Sequence, residues 1–292
     1  MRWITNLSNV INQRIKTKLL LSTTNSYFYS VSKLFQLSEY INYTLSSITK
    51  YKIHSPFVFR LVTEVFEKTV NYQDYQRIEK LRDDLKQDTR IIEVNDLGAG
   101  SKRFKTHKRK ISDIVRKSVK KEKYGHLLYM LVRNFKANSI LELGTSLGIT
   151  TSYLASAHPN TRVYTIEGCK NIADVATENF QKLNLTNIEI TIGNFDDELI
   201  KICEKVGKFD LVFIDGNHRE IPTINYFNTV LPFCHNDTIL IFDDIHWSEE
   251  MQEAWEFVKN HEQVKMTIDL FEMGLVFLRK EFRQKENMQI SY

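Results

Sequence analysis

Short apolar runs alternate with predicted helical stretches over the second half of the chain. The apolar runs predict β-strands at 139–143, 162–166, 188–192, 210–214 and 238–242. The stretches between them predict helices at 148–157, 170–183, 196–205 and 221–231. Strands that alternate with helices are typical of a parallel sheet covered on both faces. The pattern therefore predicts a doubly wound α/β domain.

The end of the chain follows a different pattern. A further helix is predicted at 248–260, and two β-like runs follow it at 265–270 and 275–279. A short interval that ends in Gly274 separates the two runs, which is typical of a hairpin. We therefore expect a terminal antiparallel hairpin, after which residues 281–292 form a C-terminal tail.

The first 123 residues lack this alternation. Residues 1–38 are predicted to form an N-terminal appendage, in which apolar side chains recur at every fourth position over the first half. Residues 39–123 are predicted to be mainly helical, and Pro56 after Ser55 suits the first turn of a helix. A glycine-containing segment at 96–107 interrupts this region, and we interpret it as a tight turn or a lid loop.

The composition excludes several classes of protein. The chain has 292 residues, of which 42% are hydrophobic and 26% charged, as in ordinary soluble globular proteins. No uninterrupted apolar stretch reaches transmembrane length, and the start lacks the features of a secretory signal. The three cysteines have no zinc-binding spacing, and such a sparse set suits a reducing compartment. We therefore expect a cytoplasmic protein.

The net charge of +4 is unevenly distributed. Residues 1–63 carry eight Lys or Arg and one acid, and a second basic stretch, which includes Lys120, spans 102–123. Such stretches suit an anionic substrate, nucleic acid or a membrane surface. In the second stretch, however, residues such as Ile111 and Val115 recur at helical spacing, so that the lysines between them would face water. We therefore favour a solvated helix face.

A glycine loop follows the first predicted strand of the α/β domain. It runs Glu142-Leu-Gly144-Thr145-Ser-Leu-Gly148, and the next strand ends in Glu167-Gly168. Glycines let backbone N–H groups approach a ligand closely, and a carboxylate at the second strand end suits a ribose diol. The alternative is an ordinary turn that packs a strand against a helix.

The glycine spacing indicates which nucleoside would bind. A dinucleotide fingerprint has the spacing G-x-G-x-x-G and holds a pyrophosphate. Here the spacing is G-x-x-x-G, and a carboxylate at Glu142 would repel a diphosphate and favour a cationic ligand. S-adenosylmethionine carries a sulfonium and an ammonium group, and it therefore fits this loop better than a dinucleotide does.

Two further strand ends carry candidate catalytic groups. Asp215 and His218 follow the fourth strand, and Asp243 and Asp244 follow the fifth. The carboxyl ends of parallel strands are where open α/β sheets place their sites. Imidazole suits a general base near neutral pH, although a lone histidine is also a common structural hydrogen-bonding residue.

The three aspartates would form an oxygen-rich set at neighbouring strand ends. Such a set suits Mg²⁺ or another hard divalent cation. The alternative is that Asp243 or Asp244 caps the next helix while the other is solvated. His246 and Trp247 follow directly and are candidates for lining a substrate pocket.

These motifs resemble a known group of enzymes. The glycine loop resembles motif I of class I S-adenosylmethionine-dependent methyltransferases, and Glu167 resembles their ribose-binding acid. Residues 124–280 resemble metal-dependent small-molecule O-methyltransferases of the catechol, caffeoyl-CoA and macrolide-sugar types. The resemblance implies a methyltransferase domain at 124–280, with a seven-stranded, Rossmann-like sheet that the terminal hairpin completes.

The resemblance also implies roles for the candidate residues. The cofactor would contact Glu142, Gly144, Thr145, Gly148, Glu167, Gly168, Asn194, Phe195 and Asp215. His218 would be the general base beside Asp215, and a metal ion would be bound by Asp215, Asp243 and Asp244. The chain departs from the catechol type in one respect, because Asp-Asp stands where those enzymes usually have Asp-Asn.

Three functions follow from these features. The first is O-methylation of a small hydroxylated molecule. The second is ribose 2′-O-methylation of nucleic acid with the basic N-terminal region as a clamp, and we regard a nucleic-acid partner as the weaker expectation. The third is a non-catalytic protein that binds the cofactor. A homodimer is compatible with all three.

Overall fold

The computed structural model describes residues 25–68, 72–95 and 107–292. The amphipathic pattern in the first half of the predicted appendage lies outside the described residues. So does nearly all of the segment 96–107 that we interpreted as a turn or lid. Within the described part of the chain, no helix is both long and apolar enough to span a bilayer.

The strands form two sheets. Their bounds are β1 (Ile91–Glu93), β2 (Lys108–Lys110), β3 (Ser139–Leu143), β4 (Arg162–Glu167), β5 (Ile188–Ile192), β6 (Phe209–Ile214), β7 (Cys234–Asp243), β8 (Met266–Asp269), β9 (Met273–Phe277) and β10 (Glu286–Gln289). The large sheet has the order β10-β8-β9-β7-β6-β3-β4-β5, and β9 is antiparallel to both of its neighbours. The other pairs in this sheet are parallel. The predicted doubly wound architecture and the antiparallel hairpin, formed by β8 and β9, are therefore confirmed.

The helices follow the alternation that the sequence predicts. Their bounds are α1 (Asn25–Ser46), α2 (Pro56–Leu61), α3 (Gln73–Gln87), α4 (Ile111–Ser118), α5 (Glu122–Phe135), α6 (Ile149–Ser156), α7 (Lys170–Leu183), α8 (Phe195–Val206), α9 (Glu220–Val230) and α10 (Glu249–Asn260). Two apolar clusters lie against the sheet, and successive residues of a strand enter different clusters. Leu211 and Phe213 belong to one cluster, and Val212 and Ile214 to the other. This alternation is what burial on both faces of a sheet requires.

The strand count differs from the prediction by one. We expected seven strands, but the large sheet has eight, because β10 lies in the segment set apart as a C-terminal tail. β10 pairs in parallel with β8 at the edge of the sheet. Its sequence, Glu-Asn-Met-Gln, has no apolar alternation, since an edge strand is held by its backbone hydrogen bonds and needs little apolar surface. Sequence periodicity alone therefore does not detect it.

The N-terminal helix is attached to this same edge. α1 extends across the boundary that we placed at residue 38, and Tyr43 near its end is buried. The Tyr43 hydroxyl donates a hydrogen bond to the backbone carbonyl of Ile290, and Ile48 forms a parallel β-bridge with Ile290. The described N-terminal part of the chain is thus packed against its C-terminal end.

The region predicted to be mainly helical also contains a small β-hairpin. β1 and β2 pair in an antiparallel manner, and they flank the segment 96–106. Each strand has only three residues, and β2 is entirely basic, so no apolar alternation marks them. The hairpin contacts the start of α7, where the Asn171 side-chain amide donates to the backbone carbonyl of Glu93 at 2.7 Å.

Candidate active site

The loop after β3 holds a tightly packed backbone. Gly144 has φ +103°, and a Cβ atom there would overlap the backbone carbonyl oxygen of Asp215. Gly148 has φ +77°, and a Cβ atom there would overlap the ring of Phe180. Both positions therefore need glycine, for the backbone conformation and for the space. Ser146, between them, also has a positive φ, of 48°.

Glu167 connects this loop to the end of β4. Its Oε2 atom accepts a hydrogen bond from the backbone N–H of Ser146 at 2.9 Å, and its Oε1 atom accepts one from that of Cys169 at 2.9 Å. Each carboxylate oxygen can accept a further hydrogen bond. The side chain is therefore fixed in orientation where it lines a cavity.

An open cavity lies beside Glu167, at the carboxyl ends of the strands. Its lining is Val94, Asn95, Arg109, Gly144, Glu167, Gly168, Cys169, Ile172, Gly193, Asn194, Phe195, Asp215, Gly216, Asn217 and Tyr226. Six of the predicted cofactor-binding residues are in this set: Gly144, Glu167, Gly168, Asn194, Phe195 and Asp215. The tertiary structure thus brings together residues from the ends of β3, β4, β5 and β6, as parallel topology requires.

Three predicted cofactor-binding residues do not line the cavity. Glu142 is fully buried beneath the loop and accepts hydrogen bonds from the hydroxyls of Thr151 at 2.5 Å and Thr165 at 2.7 Å. Thr145 is also buried, and its hydroxyl lies 2.7 Å from that of Thr165. Gly148 packs against α7. The side chain of Glu142 in β3 points into the core instead of into the cavity. The three residues therefore pack beneath the loop and support it.

Burial changes the protonation of Glu142. It raises the pKa of Glu142 to about 7, although the hydrogen bonds from Thr151 and Thr165 act in the opposite direction. A carboxyl group with this pKa is partly protonated at neutral pH. Our argument that Glu142 selects a cationic ligand by direct contact was therefore wrong, and the selection must come from groups that line the cavity.

The predicted catalytic residues form a cluster that includes Asp215, a residue of the cavity lining. Asp215, His218 and Asp243 each offer one potential ligand atom within 4.8 Å of the others. The Nε2 atom of His218 lies 3.7 Å from Oδ1 of Asp215 and 4.0 Å from Oδ2 of Asp244. Carboxylate and imidazole groups at such distances can move a proton or hold a cation.

A lysine enters this cluster from the N-terminal region. The Nζ atom of Lys120 lies 2.8 Å from Oδ2 of Asp243 and donates a hydrogen bond to Oδ1 of Asp244 at 2.6 Å. Glu272 is more distant, at 4.0 Å. The Lys120 side chain is only 13% exposed. Our prediction of a solvated helix face therefore fails for Lys120, because the residue follows α4 and turns toward the end of the sheet.

The charges in this cluster influence one another. Burial by itself lowers the pKa of the Lys120 ammonium, but Asp243, Asp244 and Asp215 together hold it well above its ordinary value. Burial and the neighbouring Asp243 carboxylate raise the pKa of Asp215 well above its usual range. Lys120 is therefore a permanent cation, and Asp215 and Asp243 are close enough to share a proton.

His246, a candidate for the substrate pocket, lies outside the cavity lining. It is buried, its Nε2 atom lies 2.8 Å from Oδ2 of Asp269, and its ring stacks on Phe271. Neither His246 nor Trp247 is among the residues that line the cavity. The backbone carbonyl of Trp247 accepts a hydrogen bond from Gln36 of α1 at 2.9 Å, so this segment holds α1 in place.

Several residues of the site were not predicted. Val94, Asn95 and Arg109 come from the β-hairpin, and Lys120 comes from the connection between α4 and α5. Their positions depend on contacts between segments that are distant in sequence, and no motif marks them. Tyr226 of α9 is a further lining residue that we did not predict. Its ring packs edge-on against Phe195.

Comparisons with known proteins agree with this geometry. Residues 141–245 match the family model described as a methyltransferase domain. Catechol O-methyltransferase of Niastella koreensis is 34% identical over 124 residues, which are 41% of this chain and 55% of the relative. Catechol O-methyltransferase of Mycobacterium tuberculosis is 30% identical over 123 residues, with 41% and 54% covered. The chain thus spans about half the length of these curated relatives.

A solved structure extends the likeness beyond the matched segment. A methyltransferase of Podospora anserina with bound S-adenosylhomocysteine has a TM-score of 0.54 at 14% identity, over 80% of this chain and 98% of the other. Identity at this level shows a common fold alone. This chain therefore shares the fold of that methyltransferase. Residues 141–245 match a methyltransferase domain, and this part of the chain is similar to O-methyltransferases.

Proposed function

We propose that the protein is an S-adenosylmethionine-dependent O-methyltransferase that acts on a small hydroxylated molecule, with His218 as the general base. The observation that carries the proposal is the position of Asp215. This residue lines the cofactor cavity, and its carboxylate also lies 3.7 Å from the His218 ring. A ligand that fills the cavity would therefore end beside the predicted base.

The residues present fit the cofactor. Glu167 presents two carboxylate oxygens that the backbone holds in place, as recognition of a ribose diol requires. Asn194 and Phe195 lie one strand end further along, where they can contact a base. Gly144 has no side chain, so its backbone lies against the carbonyl oxygen of Asp215 in the same cavity. The relatives carry names that include catechol O-methyltransferase, which supports the same class of reaction.

The proposed step transfers one methyl group. When bound, S-adenosylmethionine supplies a methyl carbon on a sulfonium, and the C–S electron pair leaves with the sulfur. His218 Nε2 takes the proton of the acceptor hydroxyl, and the oxygen forms the new bond to the methyl carbon. The products are a methyl ether, a neutral thioether and protonated His218, which then releases its proton to water. A positioned base of this kind contributes about 10²–10⁴-fold to the rate.

The proposal includes a cytoplasmic location and a small-molecule acceptor as the partner. All three cysteines are free and buried, as in proteins of a reducing compartment such as the cytoplasm. The alternative of nucleic-acid methylation depends on the basic stretches. Lys120 of the second stretch is turned toward acidic side chains, which does not favour this alternative. The predicted homodimer stays a prediction.

The test combines binding with turnover. We expect calorimetry to detect stoichiometric binding of S-adenosylhomocysteine. Mass spectrometry should then detect methyl transfer to at least one member of a panel of catechols, hydroxycinnamates and sugars. Methylation of RNA oligonucleotides without any small acceptor would favour the second function. Binding without turnover on any acceptor would favour the third, and absence of binding would refute the assignment.

A further inference from the structure

We infer that the Lys120 ammonium is the resident cation of the carboxylate cluster, in the place where related O-methyltransferases would be expected to hold a divalent metal ion. The inference deepens the proposed function and rests on it for its activity measurement alone. It assigns Lys120 as a positioning residue that acts through Asp243 and Asp244.

The first support is the state of Asp243. Its side chain is 1% exposed, and neither of its carboxylate oxygens has a hydrogen-bond donor of good geometry among the described residues. A buried carboxylate without donors needs a cation beside it. The Lys120 ammonium, 2.8 Å away, is the cation that the chain provides.

The second support is the way in which Lys120 is held. Its backbone carbonyl accepts a hydrogen bond from the guanidinium of Arg82 at 2.5 Å, and Arg82 is itself buried. Its ammonium bridges Asp243 and Asp244, so both ends of the residue are fixed. The neighbouring Lys121 differs, because its side chain is 71% exposed and pairs with Glu272. The arrangement is therefore specific to Lys120 and does not follow from the local abundance of lysine.

The third support is the poor fit of a second cation. Asp215, His218 and Asp243 would offer one ligand atom each to a metal ion. Such an ion would share Asp243 with the Lys120 ammonium, and two cations at this separation repel each other strongly. Asp244, which we predicted as a further ligand, already accepts a hydrogen bond from Lys120.

A fixed ammonium differs from a metal ion in what it contributes. It offers a positive charge and directed N–H donors, but it does not bind oxygen ligands as a Lewis acid does. Here it contacts both Asp243 and Asp244 and holds the two side chains in position beside His218. Proton removal then depends on His218, without a metal ion that lowers the pKa of the hydroxyl. We therefore expect methyl transfer to continue at an unchanged rate after removal of divalent cations.

The decisive measurement is the binding of Mn²⁺ to protein from which EDTA has removed bound metal ions. Calorimetry and electron paramagnetic resonance detect this binding. We expect the wild type to bind no Mn²⁺ at stoichiometric ratio. We expect Lys120→Ala to bind one Mn²⁺ ion more than about 100-fold more tightly than the wild type, because the opposing charge is gone. Asp243→Asn in the Lys120→Ala background should abolish that binding.

Three controls keep the result interpretable. Lys121→Ala removes an adjacent, exposed lysine that pairs with the half-buried Glu272, and it should behave like the wild type. Lys120→Arg keeps the charge and should also exclude Mn²⁺. Thermal unfolding followed by circular dichroism, measured on each variant, reports folding, and S-adenosylhomocysteine binding should be unchanged in all of them.

Two outcomes would overturn the inference. One is stoichiometric Mn²⁺ binding by the wild type that Asp243→Asn removes, and it decides the matter even if Lys120→Ala does not fold. The other is a folded Lys120→Ala variant that still binds no Mn²⁺. Failure of the proposed function would look different, because S-adenosylhomocysteine would then bind to no variant, whatever the Mn²⁺ result.

Discussion

The backbone carbonyl oxygen of Asp215 lies in the space that a Cβ atom on Gly144 would occupy. The two residues end neighbouring parallel strands, β3 and β6, and both line the cavity. Their close approach brings the β3 loop against the strand end that carries Asp215 and precedes His218. The absence of a side chain on Gly144 therefore permits the close approach of the β3 loop to Asp215.

Replacement of Gly144 by Ala tests this contact. We expect Gly144→Ala to destabilise the fold by about 2 kcal/mol or more, from backbone strain and overlap, and to abolish S-adenosylhomocysteine binding. Gly207→Ala is the matched control, since Gly207 also has a positive φ, of 89°, but no atom lies within 4 Å of its Cβ position. The control should lose about 1–2 kcal/mol from strain and keep its affinity. Urea titration shows whether both variants are folded. If they are, equal affinities of the two variants for S-adenosylhomocysteine would contradict the prediction.

The ribose-binding role of Glu167 predicts a loss of cofactor affinity. Glu167→Ala should weaken S-adenosylhomocysteine binding by about 1.5–3 kcal/mol, as expected for lost hydrogen bonds to a charged group. Glu189→Ala changes an acid on the adjacent strand β5 that pairs with Lys205 away from the cavity, and its affinity should match the wild type. Calorimetric titration measures both. An unchanged dissociation constant in folded Glu167→Ala would refute the assignment.

The role of His218 as general base predicts a separation of turnover from binding. His218→Ala should lower kcat by about 10²–10⁴-fold on a methylated acceptor, while S-adenosylhomocysteine binds as in the wild type. His235→Ala is the control, because His235 also pairs with an aspartate, Asp210, but lies at the opposite end of β7. Its kcat should be unchanged. Full turnover by His218→Ala in single-turnover experiments would exclude the role.

The buried carboxyl group of Glu142 predicts a pH dependence of stability. Its pKa is raised from 4.5 to about 7 in the folded state, mainly by burial. The folded protein therefore retains a proton that the unfolded chain releases, and stability falls as the pH rises through this window. The interval between the two pKa values corresponds to about 3 kcal/mol.

Substitution of Glu142 by Gln removes this titration. Urea unfolding at pH 5 and pH 8 should show a smaller loss of stability in Glu142→Gln than in the wild type, by up to about 3 kcal/mol. Glu189→Gln, at an exposed position, should retain the wild-type difference. If Glu142→Gln has the same pH dependence as the wild type, the carboxyl group is ionised in both states and our account of its environment is wrong.

The sequence alone determined the order of strands and helices in the α/β domain and six of the residues that line the cavity. Strand periodicity placed Glu167, Asp215 and Asp243 at strand ends. Because parallel strands end at one edge, those residues had to lie close together. The bounds of β3, β5 and α7 agree with the prediction to the residue. These features depend on local patterns, which the chain carries within a few residues.

Only the tertiary structure decided the remaining features. Lys120 and Asp244 are 124 residues apart, and no local pattern distinguishes a lysine that faces water from one that turns toward buried acids. The direction of Glu142 depends on Thr151 and Thr165, which surround it only after β3, β4 and α6 have packed together. β10 is defined by its pairing with β8. Each depends on a partner that is distant in sequence, and only folding brings the partners together.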